Sequence, residues 1–322
     1  MQKNTLVAIG EALIDMMPDK RACAFDEVTA FMPKVGGAPA NVCGAFVRLG
    51  GRGRLLTQLG DDPFGHKILH ELSDYGIETD RVRLTDTANT ALAFVSSGAN
   101  GERTFSFYRK PSADMLYAPQ DVPPDAFDDA YALHFCSVSL GDFPMKEAHR
   151  AAIAYARERG CLVSFDPNLR FPLWNDREAL RRTVREFLPL ADVVKISDEE
   201  LAFITGTDEI GRALDRLFVG HVQLVLFTRG KDGASVYTRT AAAHAKASDV
   251  PVLDTTGAGD GFAGAFLWKL YTRSITRGDL PALDEQTLDD CVRFANAFCA
   301  VSVQKLGAIA SYPTAAEVQS AE

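Results

Sequence analysis

The sequence predicts an α/β protein built on a mostly parallel sheet with helices on both faces. Three observations carry this expectation. Apolar runs of strand length alternate with longer segments of helical period over most of the chain. No internal repeat or long linker interrupts that alternation. The 322 residues are 47% hydrophobic and 24% charged, the proportions of a soluble globular chain that buries a large core.

Residues 5–10 give the first buried strand pattern, and 38–49 repeat their apolar positions at helical spacing. Residues 55–60 predict a second strand and 64–75 a second helix. Further apolar runs at 132–138, 161–166 and 192–196 are each followed by a helical pattern, at 145–159, 177–188 and 199–205. A strand over 222–228 precedes two long helical patterns, 258–271 and 288–303. One region breaks the rhythm. Residues 81–84, 90–96 and 103–108 are short β patterns, and Asn100-Gly101 is a strong hairpin signal. The stretch 14–35 is irregular. Together these segments predict a small β unit at the edge of the main sheet, with extra edge strands as the alternative. The division is a core of 1–10, 36–87 and 113–322, and a small β lid of 11–35 and 88–112.

Charge and cysteine usage narrow the function classes. The 34 basic and 43 acidic residues leave −9, which disfavours a nucleic-acid partner. No apolar run approaches a membrane span, and the N-terminus reads as a strand rather than a secretory signal. Six dispersed cysteines without a CxxC pair point to free thiols in a reducing cytoplasm.

The chemistry concentrates in two segments. Asp254-Thr255-Thr256-Gly257-Ala258-Gly259-Asp260 runs straight into an apolar helical pattern. Glycines before a helix let main-chain N–H groups face one concavity, and the helix N-terminus adds partial positive charge. A carboxylate inside such an anion hole repels a resting phosphate but is well placed to take a proton. Phosphoryl transfer fits: amides steady the moving phosphoryl group while Asp260 deprotonates an alcohol. Alone, the same residues also describe a turn and a helix cap. In Val35-Gly36-Gly37-Ala38-Pro39-Ala40-Asn41, the paired glycines admit a ligand close to the main chain. Asn41 offers a donor and an acceptor suited to sugar hydroxyls, and Asp15 can accept two hydroxyl hydrogen bonds.

Other motifs carry less. Residues 259–264 match GxGxxG, but late in the chain and with an acid where a pyrophosphate would approach. Gly230-Lys231 is followed by Asp232 and lacks the spacing of a phosphate loop. His66 and His70 read as a solvated helix face, and Ser302-x-x-Lys305 lacks the companion motifs of a serine hydrolase.

With both glycine segments present, the chain resembles the ribokinase-like (PfkB) family of carbohydrate kinases over essentially its whole length. Within that family it is most similar to the fructokinases, through residues 107–116, Phe165-Asp166-Pro167-Asn168-Leu169-Arg170 with Leu173-Trp174, and Val194-Lys195-Ile196-Ser197. The resemblance implies a three-layer α/β/α core with a small β lid, ATP as cosubstrate, Mg²⁺, and a K⁺ activator. It assigns Asp260 as general base and Gly257, Ala258 and Gly259 as anion hole. Asp15, Gly36, Gly37, Asn41 and Phe107 fall at sugar-binding positions, with Arg109 and Arg170 facing sugar or transferred phosphate. Asn168, Lys195, Ser197, Glu200, Thr228, Gly230, Gly233 and Asn296 fall along the nucleotide, Glu200 organising Mg²⁺ through water. Asp254, Thr256, Ser302, Lys305, Gly307 and Ser311 match the monovalent-cation site. One departure stands out: the family's Asn-x-x-Glu is Ser197-Asp198-Glu199-Glu200 here, and serine lacks the paired donor and acceptor of an amide.

The implied activity is transfer of the ATP γ-phosphate to the 6-hydroxyl of D-fructose; lid strands that leave an open edge would pair across a homodimer. Kinases of 2-keto-3-deoxygluconate, ribose or aminoimidazole riboside share both signatures, and a silent sugar-binding regulator is the non-enzymatic alternative.

Overall fold

The computed structural model describes residues 3–20, 23, 25–97 and 103–321. Its strands begin with β1 (Thr5–Ile9), β2 (Leu13–Pro18), β3 (Phe31–Gly36), β4 (Arg52–Leu56), β5 (Gln58–Gly60), β6 (Ile77–Glu78) and β7 (Arg83–Thr85). They continue as β8 (Leu92–Ser97), β9 (Arg103–Tyr108), β10 (Ala130–Cys136), β11 (Leu162–Asp166), β12 (Val193–Ser197), β13 (Leu224–Thr228), β14 (Ala234–Tyr237) and β15 (Ala242–Ala245). The helices begin with α1 (Ala38–Arg48), α2 (Pro63–Asp74), α3 (Pro144–Glu158), α4 (Arg177–Phe187) and α5 (Asp198–Thr205). After them come α6 (Ile210–Leu217), α7 (Ala258–Thr272), α8 (Glu285–Ser302) and α9 (Ala315–Gln319).

Among the described residues the main sheet has nine strands in the order β15-β14-β13-β12-β11-β10-β1-β4-β6. All its pairings from β13 to β6 are parallel; β14 and β15 add an antiparallel edge. Side chains alternate across it as a pleated strand requires. Leu6 and Ala8 of β1 join a core with α1, α7 and α8, while Val7 and Ile9 join another with α3, α4, α5 and α6. The result is a three-layer α/β/α structure.

Segments 11–35 and 88–112 supply a second sheet, β3-β2-β8-β9. The irregular reading of 14–35 is corrected, because β2 and β3 pair antiparallel from Leu13↔Gly36 to Pro18↔Phe31. Pro18 and Pro33, with largely half-exposed or exposed side chains along both strands, blur the alternation that marks a strand. Asn100-Gly101 lies outside the described residues, and β8 and β9 on either side pair antiparallel. The single strand expected over 55–60 is two: β4 stays in the main sheet while β5 pairs with β7, so 81–84 does not join the small sheet. The continuous apolar run hides that change of partner.

Helices α1 and α7 meet through Gly264, where an added Cβ would lie 2.6 Å from the Ala45 Cβ and 2.7 Å from the Val42 carbonyl oxygen. Gly264→Ala is therefore expected to lower the melting temperature. Overpacking costs about 1–3 kcal/mol, against about 1 kcal/mol recovered in helix propensity.

Candidate active site

The parallel strands end on one edge of the sheet, and ligand-binding side chains in open α/β sheets gather outside those carboxyl ends. Here β11 ends in Asp166, β12 carries Lys195 and Ser197, and β13 ends in Thr228. The start of α7 faces the same edge. Gly257 precedes that helix in the left-handed conformation, φ 73°. A Cβ there would come 2.6 Å from both the Tyr312 hydroxyl and the Ala308 Cβ, and Tyr312 Oη donates to the Gly257 carbonyl at 2.7 Å. Only glycine fits that bend; beyond it the Ala258 N–H turns back to the Thr255 carbonyl at 3.1 Å, and the first-turn N–H groups of α7, as at any helix start, have no intrahelical partners.

Asp260 lies in this first turn and is buried. Asn41 Nδ2, from α1, donates to its Oδ2 at 2.9 Å, and Asn168 Nδ2 to its Oδ1 at 3.4 Å. Asn168 holds a left-handed backbone, φ 43°, and its N–H donates to Asp166 Oδ1 at 3.1 Å. Burial pushes the Asp260 carboxyl above its ordinary pKa, against the opposing pull of Asn41, Lys195 and Arg170. An acid so placed can accept a proton from an alcohol.

The Lys195 ammonium pairs with Asp166 at 3.1 Å, both side chains buried. It lies 3.3 Å from where a Gly259 Cβ would stand, so Gly259 leaves room for a cation beside the first turn of α7. Burial works against the charge on Lys195, yet Asp166, Glu200 and Asp260 hold its pKa above the ordinary lysine value. Burial raises the Asp166 carboxyl against the pull of Lys195. Glu200 accepts from the Ser197 N–H at 2.9 Å and the Leu169 N–H at 2.8 Å. Ser197 stands at the N-cap position of α5 and meets Glu200 through its main-chain N–H.

The diglycine segment is shaped by the same demand for room. A Gly36 Cβ would lie 2.2 Å from Asp15 Oδ2, and a Gly37 Cβ 2.5 Å from the Glu11 carbonyl oxygen. These glycines lead directly into α1 and hence to Asn41. Residues 15, 36–41, 166–170, 195–200 and 257–260 thus converge on one edge. Arg170 is exposed, donates to the Leu169 carbonyl at 3.0 Å and exerts its charge on Asp260.

Other expected residues stand further out or are used differently. Arg109, expected to face sugar or phosphate, is turned inward. It pairs with Asp114 through Nε at 2.9 Å and through Nη2, and also donates to the Val138 carbonyl and Ser139 Oγ. Phe107 stacks on Phe105, with ring centroids 6.0 Å apart, over the small apolar cluster of Leu13, Ala91 and Ala93. Gly230 and Gly233 form the tight turn after β13, and Asn296 Nδ2 ties α8 to the Ala245 carbonyl at 2.8 Å. The Lys305 ammonium is 3.4 Å from Glu317, so its side chain points to that carboxylate rather than into a cation shell. The neighbouring donors are oxygen: Asp254 accepts from Thr256 Oγ1 at 2.6 Å and the Gly307 N–H at 3.0 Å, and Ser302 and Ser311 hydroxyls meet at 2.8 Å. Carboxylate and hydroxyl oxygens suit a hard cation. Among the described residues no group of three or more His, Cys, Asp or Glu is placed to hold a metal alone. A magnesium ion would depend on nucleotide phosphates and water as well as on Glu200.

Sequence reasoning passed over Asp166 and Glu11. Asp166 ends an apolar strand run and falls within the segment 165–170 that carries the resemblance, but neither signal assigns it a partner. Glu11 is buried and its Oε2 accepts from Ser139 Oγ at 2.8 Å. No local pattern marks that contact.

The profile of the pfkB family carbohydrate kinases matches residues 3–315. The chain belongs to that family. It is thereby a phosphotransferase with an alcohol acceptor. This pfkB kinase is 40% identical over 322 residues to probable fructokinase-4 of Arabidopsis thaliana, covering 99% of this chain and 97% of that one. The crystal structure of a fructokinase with bound ATP from Xylella fastidiosa superimposes with a TM-score of 0.92 at 36% identity, covering 99% and 98% of the two chains. A Vibrio cholerae fructokinase, in a form with fructose, ADP and calcium bound, gives 0.84 at 33% identity with the same coverage. Among the described residues, no helix is long and apolar enough to cross a membrane.

The inward placement of Arg109 makes a stability prediction. Arg109→Ala strands the buried Asp114 carboxylate, and urea denaturation should show a loss of about 3–5 kcal/mol. A variant of parental stability with only a raised sugar KM would return Arg109 to the substrate.

Proposed function

We propose that this kinase transfers the γ-phosphate of ATP to the 6-hydroxyl of D-fructose, with Asp260 as general base. One observation carries it: a buried carboxylate held by two side-chain amides in the first turn of a glycine-led helix, beside Lys195 and Arg170. Asp15, Gly36, Gly37 and Asn41 orient the sugar so that its hydroxyl reaches Asp260. Asp260 takes the proton as the hydroxyl attacks in line, while the N–H groups of Gly257, Ala258 and Gly259 steady the transferred phosphoryl group. Lys195 and Arg170 add positive charge there. Asn168, Ser197, Glu200, Thr228, Gly230, Gly233 and Asn296 line the nucleotide's course. Magnesium, when bound, neutralises charge on the phosphates. The oxygen donors of Asp254, Thr256, Ser302 and Ser311, with main-chain groups of Lys305 and Gly307, suit a potassium ion.

The β3-β2-β8-β9 sheet serves as a lid that excludes water and so suppresses ATP hydrolysis. Its aromatic cluster supports a homodimer: Phe25 and Tyr108 are 50% and 66% exposed, and Phe31 and Phe94 pack between them at 5.0 Å. A second copy would cover that face. The composition and free cysteines fit a cytoplasmic enzyme. Because Asp114 occupies Arg109, Arg170 alone of the two arginines is open to a carboxylated sugar acid, which favours neutral fructose over 2-keto-3-deoxygluconate.

The deciding experiment measures ATP consumption with fructose, 2-keto-3-deoxygluconate, ribose and aminoimidazole riboside, and without sugar. Fructose should give the highest kcat/KM; no sugar-dependent turnover with any of them would leave the silent sugar-binding reading. Asp260→Asn should keep the fold and ATP binding while kcat drops about 10²–10⁴-fold. A base must be ionised to act, and Asp260's pKa is raised. Activity should therefore fall on acidification with a midpoint above the ordinary aspartate value near ~3.9. Lys195→Met removes a charge that holds this pKa down, so the acid limb should move to higher pH.

A further inference from the structure

The edge of the sheet opposite the active site holds a cavity of about 430 Å³ lined by Asp192, His221, Gln223, Thr276 and Arg277. It lies at the amino ends of strands whose other ends carry Asp166, Lys195 and Thr228, since Asp192 precedes β12 and Gln223 precedes β13. Asp192 is its fixed point. The side chain is 1% exposed, and Oδ2 accepts from the Val163 N–H at 2.9 Å. Oδ1 faces Arg277 Nε at 3.1 Å and Arg157 Nη2 at 3.6 Å. Two guanidiniums therefore meet one carboxylate. Asp279, two residues beyond Arg277, is turned onto the Thr276 N–H and hydroxyl at 2.8 and 2.6 Å and does not line the cavity.

The donors around this space are unused. Among the described residues, nothing hydrogen-bonds Nη1 or Nη2 of Arg277, the ring nitrogens of His221 or the side-chain amide of Gln223. Nε and Nη1 of Arg157 are buried without a partner behind Asp192. Desolvation first, and then Arg157 and Arg277, hold the His221 pKa below its ordinary value against the pull of Asp192, so the ring feels both cations and the carboxylate between them. A cavity of this size falls in the range of small-molecule sites, about 300–1,000 Å³, and exceeds what a bare phosphate needs. A planar guanidinium with two open nitrogens matches an oxyanion edge.

We propose that this cavity is a second ligand site, recognising the phosphate group of a small molecule through Arg277, His221 and Gln223. The phosphate comes from inorganic phosphate or from a sugar phosphate ester whose body fills the remaining space. The site is independent of the assignment of fructose as substrate, because it shares no residue with the opposite edge.

Isothermal titration calorimetry on the full chain, with the nucleotide site filled by a non-hydrolysable ATP analogue, tests it with inorganic phosphate and fructose 6-phosphate in parallel. The parent should bind at least one of the two. Arg277→Gln should weaken binding about tenfold or more, as loss of a charged hydrogen bond requires. His221→Ala, at an exposed position that leaves Asp192 paired, should weaken it by a smaller factor. A tighter ester than free phosphate assigns the ester as ligand, and equal affinities assign the phosphate group alone. Absence of binding to the parent, or affinities unchanged in both variants, would overturn the site.

Discussion

A carboxylate taken out of water beside a lysine ammonium organises this enzyme. Asp260 is buried, and charge in such surroundings persists only where dipoles and opposite charges replace water. Asn41 and Asn168 supply the dipoles, and Lys195 supplies the charge. Each comes from a different part of the chain: α1, the loop after β11, and β12. The chemistry proposed for this carboxylate therefore depends on the whole parallel sheet being assembled in register.

Space is the second constraint. Gly36 stands where a methyl group would meet the Asp15 carboxylate, Gly257 where it would meet Tyr312, and Gly259 where it would crowd Lys195. These glycines let side chains and helix ends approach one another more closely than any substituted residue would allow. Gly264 does the same between α1 and α7, the two helices that carry Asn41 and Asp260. A small shift at that crossing would move the amide away from the acid.

The sheet has two chemically distinct ends. At the carboxyl ends of β11 and β12, carboxylates and a lysine gather around Asp260. At the amino ends of the same strands, Asp192 clasps Val163 and, through its main-chain carbonyl, Gln223 and Leu224 at 2.9 and 3.1 Å. The strand joining Asp192 to Lys195 is only a few residues long, and its middle is apolar and buried. Arg109 has a comparable role at the root of the small sheet, where Asp114 and Ser139 bind it to the core.

The sequence by itself determined the alternation of strands and helices, because period and burial are local properties of a chain. It also singled out the two glycine segments and Asp260 as candidates, because a glycine bend running into an apolar helix has chemical meaning without its surroundings. Tertiary structure alone decided where long side chains find partners. Arg109 looks like a substrate-facing arginine until Asp114 is seen to hold it, and Ser197 is found to meet Glu200 through its main-chain N–H at the start of α5. It also decided that the run 55–60 serves two sheets, that β2 and β3 are strands despite their prolines, and that Asp166 meets Lys195. Those outcomes depend on contacts between residues far apart in the chain, which no local pattern encodes.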